Sequence, residues 1–352
     1  MQFRMYHTSY DFAKIVGDVA GQKMPAVDNF YKFAINSEWQ RRAAQQSLHS
    51  FLSPNNQNAR AAEINQLIAE SSWYENGKPY YNLHPRMIDV FGRAKLNFPS
   101  KYIEFPFQTV AVNFALEDDT FKLDETHRLQ SCLVFRGKVR DPLKPIPEHE
   151  PNCIMIYMDW NERHKSEVYS EHKRRTFTLG EPIMTWRRWT WDADETVDDA
   201  LNRLPMDLSM AKGIRIPDAM IEKAIKLVVS VAFLHKDESP IVVPHLLNRD
   251  AKQLRLREAA DRTIKELHDK AAKERGARGW LVGSEEMFDH GHIGPAPEQE
   301  EHKVTGRELQ FAHIVSGYWK LCRYGPKMES GRVRWIMPHV RGWGKPFKHE
   351  EE

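Results

Sequence analysis

Hydrophobic residues follow a helical period through the first hundred positions and a period of two through the middle of the chain. Phe30, Phe33, Ala34 and Trp39 open a helical stretch that continues past Arg41 and Arg42 to Leu52. Ser53-Pro54-Asn55 stops it, because proline cannot continue the hydrogen-bond ladder. Ile64, Leu67 and Ile68 lie at i, i+3, i+4 spacing and predict a second helix from Ala59 to Ser71. Glu75 to Pro79 is a loop, and Pro85 to Lys95 a third helix.

From residue 108 the period changes. Val110, Val112 and Phe114 share one face of a strand between Gln108 and Leu116. Ser131 to Val139, Cys153 to Trp160, Val168 to Leu179 and Ile183 to Trp191 continue the alternation as an antiparallel meander. Helix returns at Asp194 to Leu201, whose acidic first turn suits the positive end of the helix dipole. Pro217 to His235 is the most apolar helix and the expected core helix. Asn248 to Arg275 reads as one long, charged, solvated helix.

Gly291 to His302 is rich in proline, glycine and glutamate and reads as a linker. Arg307 to Phe347 reads as two strands around a turn at Tyr324-Gly325-Pro326, before a frayed acidic tail at 350–352. The predicted class is α+β: a central antiparallel sheet with packed helices, an N-terminal helical portion and a C-terminal basic β-hairpin. The expected units are a helical region (1–100), a central α+β domain (101–290), a linker (291–303) and a C-terminal basic β segment (304–352) packing on the central domain.

Composition narrows the class. At 41% hydrophobic and 28% charged, the 352-residue chain has enough apolar surface to bury, so disorder across the whole chain is not expected. Cys132, Cys153 and Cys322 are too few and too far apart for a disulfide framework or a CxxC zinc site, so three reduced thiols are expected. The start, MQFRMYHTSYDF, has no apolar signal core. The longest apolar run, Leu227 to Leu234, is far short of the ~20 residues of a membrane span. The cytoplasm is the expected location, with no membrane partner.

Net charge is only +2, but it is unevenly spread. Between Lys303 and Lys348 ten basic residues face two acids, Glu308 and Glu329, giving a formal +8. Trp319, Tyr324, Trp335, Trp343 and Phe347 are interleaved with those charges. On a strand, Arg332, Arg334 and Ile336 point one way and Val333, Trp335 and Met337 the other, which gives a basic face backed by an apolar one. Guanidinium groups there could grip carboxylates or phosphates, in an acidic peptide or a nucleic-acid backbone. The same pattern also describes a half-buried hairpin with a solvated face.

Thr185 to Trp191 (TWRRWTW) is a second candidate. Alternation sets Trp189 and Trp191 opposite Arg188 and Thr190, either to stack on a partner or to fill a sheet–helix interface. Asp289-His290-Gly291-His292 is at most half a metal site, and neither metal nor cofactor is expected. No Walker loop, GxGxxG, GxSxG or HExxH occurs. Asp159 at a strand end, near Glu167 and Lys173, leaves a metal-dependent nuclease as an alternative without a trusted pattern.

The residues Val315-Ser316-Gly317-Tyr318-Trp319, then Tyr324-Gly325, then Arg332-Val333-Arg334-Trp335-Ile336 and Pro338, resemble a C-terminal signature of phage and mobile-element proteins. That group includes the phage-encoded type V-A anti-CRISPR family. A weaker likeness in element order extends over about residues 100–345. The resemblance implies a non-enzymatic counter-defence protein. Its partner would be a polypeptide segment of a bacterial CRISPR effector nuclease or its nascent chain, in the cytoplasm of the bacterial host.

The positions matching the signature are Trp319, Arg332, Arg334 and Trp335. Tyr318, Arg323, Arg341, Arg187, Arg188 and Trp189 complete the candidate binding set. Ser316 stands where a basic residue is usual and Tyr318 where histidine is usual, so no catalytic histidine is available there. An RNA-binding protein and a phage nuclease are the alternatives.

Overall fold

The computed structural model describes residues 69–114, 121–123, 127–136, 152–162, 183–203, 216–236, 238–254, 260–283, 313–315, 317–336 and 339–341. The predicted helices before residue 69, the strand at 168–179 and the linker at 291–302 lie outside these residues.

A seven-stranded sheet forms the frame. In chain order its strands are β1 (Tyr80–Leu83), β2 (Thr109–Asn113), β3 (His127–Arg136), β4 (Asn152–Glu162), β5 (Ile183–Trp191), β6 (Val242–Pro244) and β7 (Gly279–Val282). In space they run β5-β4-β3-β2-β1-β7-β6. β2 to β5 form the antiparallel meander expected from alternation. The sheet's middle differs from expectation: β1 is parallel to both β2 and β7.

β1 was missed because its four residues, Tyr-Tyr-Asn-Leu, are all buried and so do not alternate. Strands covered on both faces lose the polar half of the pattern. The Asn82 side chain finds a partner along the ladder, accepting from Asn113 Nδ2 at 2.9 Å where β1 and β2 are in register. β6 and β7 were missed for being short, at three and four residues.

Five helices are labelled: α1 (Pro85–Arg93), α2 (Val197–Asn202), α3 (Asp218–Lys236), α4 (Asn248–Leu254) and α5 (Asp261–Arg275). α1 starts at a proline in its first turn, with His84 Nδ1 accepting from the Arg86 N–H. α2 is capped by Thr196, whose hydroxyl accepts from Asp199 N at 3.1 Å. α4 and α5 correct the reading of a single helix from Asn248 to Arg275. Ala260 is extended (φ −63°, ψ 146°), so α5 begins anew after it. α5 ends on Gly276 in the left-handed region (φ 64°), where Ala277 N reaches back to Ala272 O.

α3 is the core helix, buried from Leu227 through Leu234. A helix apolar all round must be covered all round. The sheet, at β3, supplies one cover; α1 and the C-terminal hairpin supply others. That hairpin is β9 (Tyr318–Tyr324) and β10 (Ser330–Ile336), joined through a 3-10 turn at Pro326–Met328. β8 (His313–Val315) and β11 (His339–Arg341) form a separate antiparallel pair.

The main core is continuous from Tyr81 and Phe91 through Val110, Ile156 and Val228 to Trp319, Val333 and Trp335. The other sheet face carries Met155, Tyr157 and Phe135 against Ala69, and Tyr80 with Trp73, from the helical segment 69–75. Among the described residues no helix is long and apolar enough to cross a membrane.

Candidate functional site

The hairpin is in register, with Ile336 opposite Tyr318, Arg334 opposite Lys320, Arg332 opposite Cys322 and Ser330 opposite Tyr324. Alternation places these four pairs on one face. The intervening pairs, Trp335 with Trp319 and Val333 with Leu321, form the other. Burial separates the faces: Trp319 and Trp335 are each 7% exposed and Val333 is 5% exposed, while Lys320 and Arg334 are exposed.

The two indoles meet edge to face at 5.2 Å between ring centroids. Both contact Phe91 of α1, and Trp319 also contacts Phe233 of α3. Gly317 and Gly331 permit the close fit. A Cβ at Gly317 would come within 2.3 Å of the Trp335 ring, and one at Gly331 within 2.5 Å of the Tyr102 hydroxyl. Both indole N–H groups are buried without a hydrogen-bond partner among the described residues. Leaving such donors unpaired costs about 1–3 kcal/mol each, so the anchor rests on apolar packing.

The sequence leaves these rings two places, a partner surface or the core, and burial puts them in the core. Trp319 and Trp335 anchor the hairpin and present no ring to a partner. Trp189 is likewise core, 1% exposed, donating from Nε1 to Ala200 O at 3.2 Å and packed on Trp191. Arg187 shares that buried face of β5, while Arg188 is exposed. The β5 candidates and the hairpin candidates therefore belong to separate sheets. Arg341 ends β11, paired with His313. The side chain of Asp159, the nuclease candidate on β4, and the Asp289–His292 segment lie outside the described residues.

What remains on the hairpin is a basic and partly apolar outer face. Between residues 317 and 336 five cations, Lys320, Arg323, Lys327, Arg332 and Arg334, face one acid, Glu329. Lys320 directly opposes Arg334, and like charges so placed destabilise a sheet by up to about 1 kcal/mol. Arg323 has the parity of the tryptophans but is exposed at the hairpin's end, where Gly331 faces it. Arg332 is half-buried and makes a long contact from Nη2 to Lys236 O, 3.5 Å, at the C-terminus of α3. Lys236 in turn pairs with Glu104, which holds that carboxyl below its ordinary range by a hydrogen bond and charge.

Among the described residues four large hydrophobic side chains are exposed, and three of them sit on this hairpin: Tyr318 (43%), Tyr324 (54%) and Met328 (59%). Sequence places Tyr324 among the aromatics of the basic segment but not in the candidate binding set, and it does not mark Met328. The signal was available for Tyr324, which falls on the Arg332–Arg334 face by simple alternation. Met328 lies in the turn, where it and Lys327 hold φ 57° and 55°, an uncommon backbone state for side-chain-bearing residues.

A second polar cluster lies at the sheet's parallel centre and also escaped sequence reading. Tyr80 and Tyr81 point to opposite faces of β1. Tyr80 Oη meets His245 Nδ1 at 2.7 Å, and Tyr81 Oη meets His235 Nδ1 at 2.6 Å. Trp280 stacks on Tyr81, with ring centroids 5.2 Å apart, and abuts His235 and His268. Burial, and then the nearby Arg275 guanidinium, push the His245 imidazole down to about 4. Burial lowers His235 and His268 too, and raises both tyrosines. Neutral imidazoles hydrogen-bonded to phenols brace the sheet. Among the described residues no group of three or more histidine, cysteine or carboxylate side chains could hold a metal ion.

No family model matches this sequence, and no curated protein matches it. Among solved structures, the fold is similar to the crystal structure of AcrVA2, at 11% identity and a TM-score of 0.45, covering 95% of this chain and 99% of that one. At that overlap and identity the likeness carries no argument about the site.

Proposed function

We propose that this chain is a phage counter-defence protein that captures a polypeptide segment of a bacterial CRISPR effector nuclease, or its nascent chain, on the outer face of the β9–β10 hairpin. The observation carrying this reading is the split between the hairpin's faces. Two indoles fix the ribbon to α1 and α3, and the opposite face offers cations flanked by exposed Tyr318 and Tyr324. Charge with adjacent aromatic surface is the composition of a protein-recognition patch. The resemblance of the C-terminal residues to the anti-CRISPR signature supports this class of target. Binding, not chemistry, is the role of the named residues.

The test is a pull-down of effector polypeptides by the full-length chain, beside the double variant Lys320→Glu, Arg334→Glu. Capture by the parent and loss in the variant supports the proposal. Recovery of RNA with no polypeptide rejects it.

The five cations also favour a second reading, an RNA-binding face. Phosphate contacts would weaken binding steeply with salt, by a log–log slope of about −0.7 per contact on a single strand. A shallow slope removes that reading.

A further inference from the structure

The outer face of the hairpin has an order along its length, and that order specifies a ligand. The Tyr318–Ile336 pair at one end is largely apolar. Next comes Lys320 with Arg334, both exposed cations. Arg332 follows beside Cys322, with the guanidinium partly engaged at Lys236 O. Tyr324 beside Ser330 closes the series, with Met328 exposed in the adjoining turn.

Successive pairs on one face of a ribbon are about 6.5–7 Å apart, since each residue advances ~3.3 Å. An extended peptide presents its own same-face side chains at the same interval. Laid over this ribbon at the ~10 Å spacing of stacked sheets, it would meet each pair with one alternate side chain.

We infer that the β9–β10 outer face takes an extended acidic peptide segment whose alternate side chains run apolar, acidic, acidic, apolar. Charge complementarity sets the two central positions, opposite Lys320–Arg334 and Arg332. The aromatic and aliphatic ends set the outer two, at Tyr318–Ile336 and at Tyr324. A polynucleotide carries charge at every backbone unit, whereas this face sets cations only at its two central positions, so a polypeptide fits the order better. The inference rests on the protein-capture reading above and adds to it the pattern of the captured segment.

The experiment uses the full-length chain and fluorescently labelled synthetic peptides, with binding read by anisotropy. One peptide has the core Leu-Thr-Glu-Thr-Glu-Thr-Leu. A second has the same residue types with acids outside, Glu-Thr-Leu-Thr-Leu-Thr-Glu. Both cores read the same in either direction, so strand polarity does not enter. The expected result is binding of the first at least about tenfold tighter than the second. The Lys320→Glu, Arg332→Glu, Arg334→Glu triple variant reverses both central positions and is expected to lose that peptide and to bind Leu-Thr-Lys-Thr-Lys-Thr-Leu, a gain that an unfolded variant would not show.

Equal affinity for the two acidic peptides overturns the inferred order and leaves protein capture standing. Binding of neither overturns the inference. If the chain then retains a single-stranded RNA oligomer, protein capture falls with it.

Discussion

The parallel centre of the sheet and the C-terminal hairpin use the same materials, aromatic rings beside cationic or basic groups, to opposite ends. At β1 both faces are sealed. Tyr80 and Tyr81 are fully buried, each phenol is matched to an imidazole, and burial keeps the histidines neutral. At the hairpin one face is sealed and the other leaves Lys320, Arg334, Tyr318 and Tyr324 exposed. A two-faced ribbon is free to change on its outer side without disturbing the fold, which is where a recognition surface can reside. The doubly covered strand has no such freedom.

The sharpest way to break this contrast is Trp335→Ala. If the indole is an anchor, the loss of stability is about 3–5 kcal/mol, seen as a lower urea midpoint. A change within ~0.5 kcal/mol would return Trp335 to the surface as a contact residue. Gly279→Ala tests the sheet's centre. Its new Cβ would lie 2.0 Å from the Tyr80 ring, and overpacking there costs about 1–3 kcal/mol. Tyr81→Phe leaves His235 without its phenol and is expected to cost about 1–2 kcal/mol in the same measurement.

The buried histidines give the centre a pH response. His245 titrates near 4 when folded, below its ordinary 6.5, because burial and Arg275 disfavour its charged form. The unfolded chain therefore binds more protons between those values, and stability must fall as pH drops from about 6.5 toward 4. Melting temperatures across that window should decline, and Tyr81→Phe should not abolish the decline, since His245 belongs to the Tyr80 pair. The smallest expected effect on stability is that of Lys320→Glu, within about 0.5 kcal/mol, because the side chain is exposed. Its removal of the like-charge pairing with Arg334 works in the stabilising direction, while binding of an acidic peptide is weakened.

Alternation along the chain determined both strands of the hairpin, where one face meets the core and the other meets water, so chemistry switches at every residue. β2, β3 and β4 are covered on both faces and were legible as longer runs of strand-forming residues. The run Leu227–Leu234 declared the central helix, because no surface helix would be apolar on all sides. The basic, aromatic C-terminus was likewise legible, down to the opposed faces of Arg334 and Trp335. Pattern alone left open whether those indoles would face a partner or the core, since either is compatible with a period of two.

Tertiary structure decided that. Phe91 and Phe233, over 80 residues away in sequence, close over Trp319. It also placed β1 between β2 and β7, a parallel position that four consecutively buried residues cannot announce. The Tyr–His pairs span 154 and 165 residues of chain. Contacts of that range leave no local period behind, so they become visible only once the chain has closed on itself.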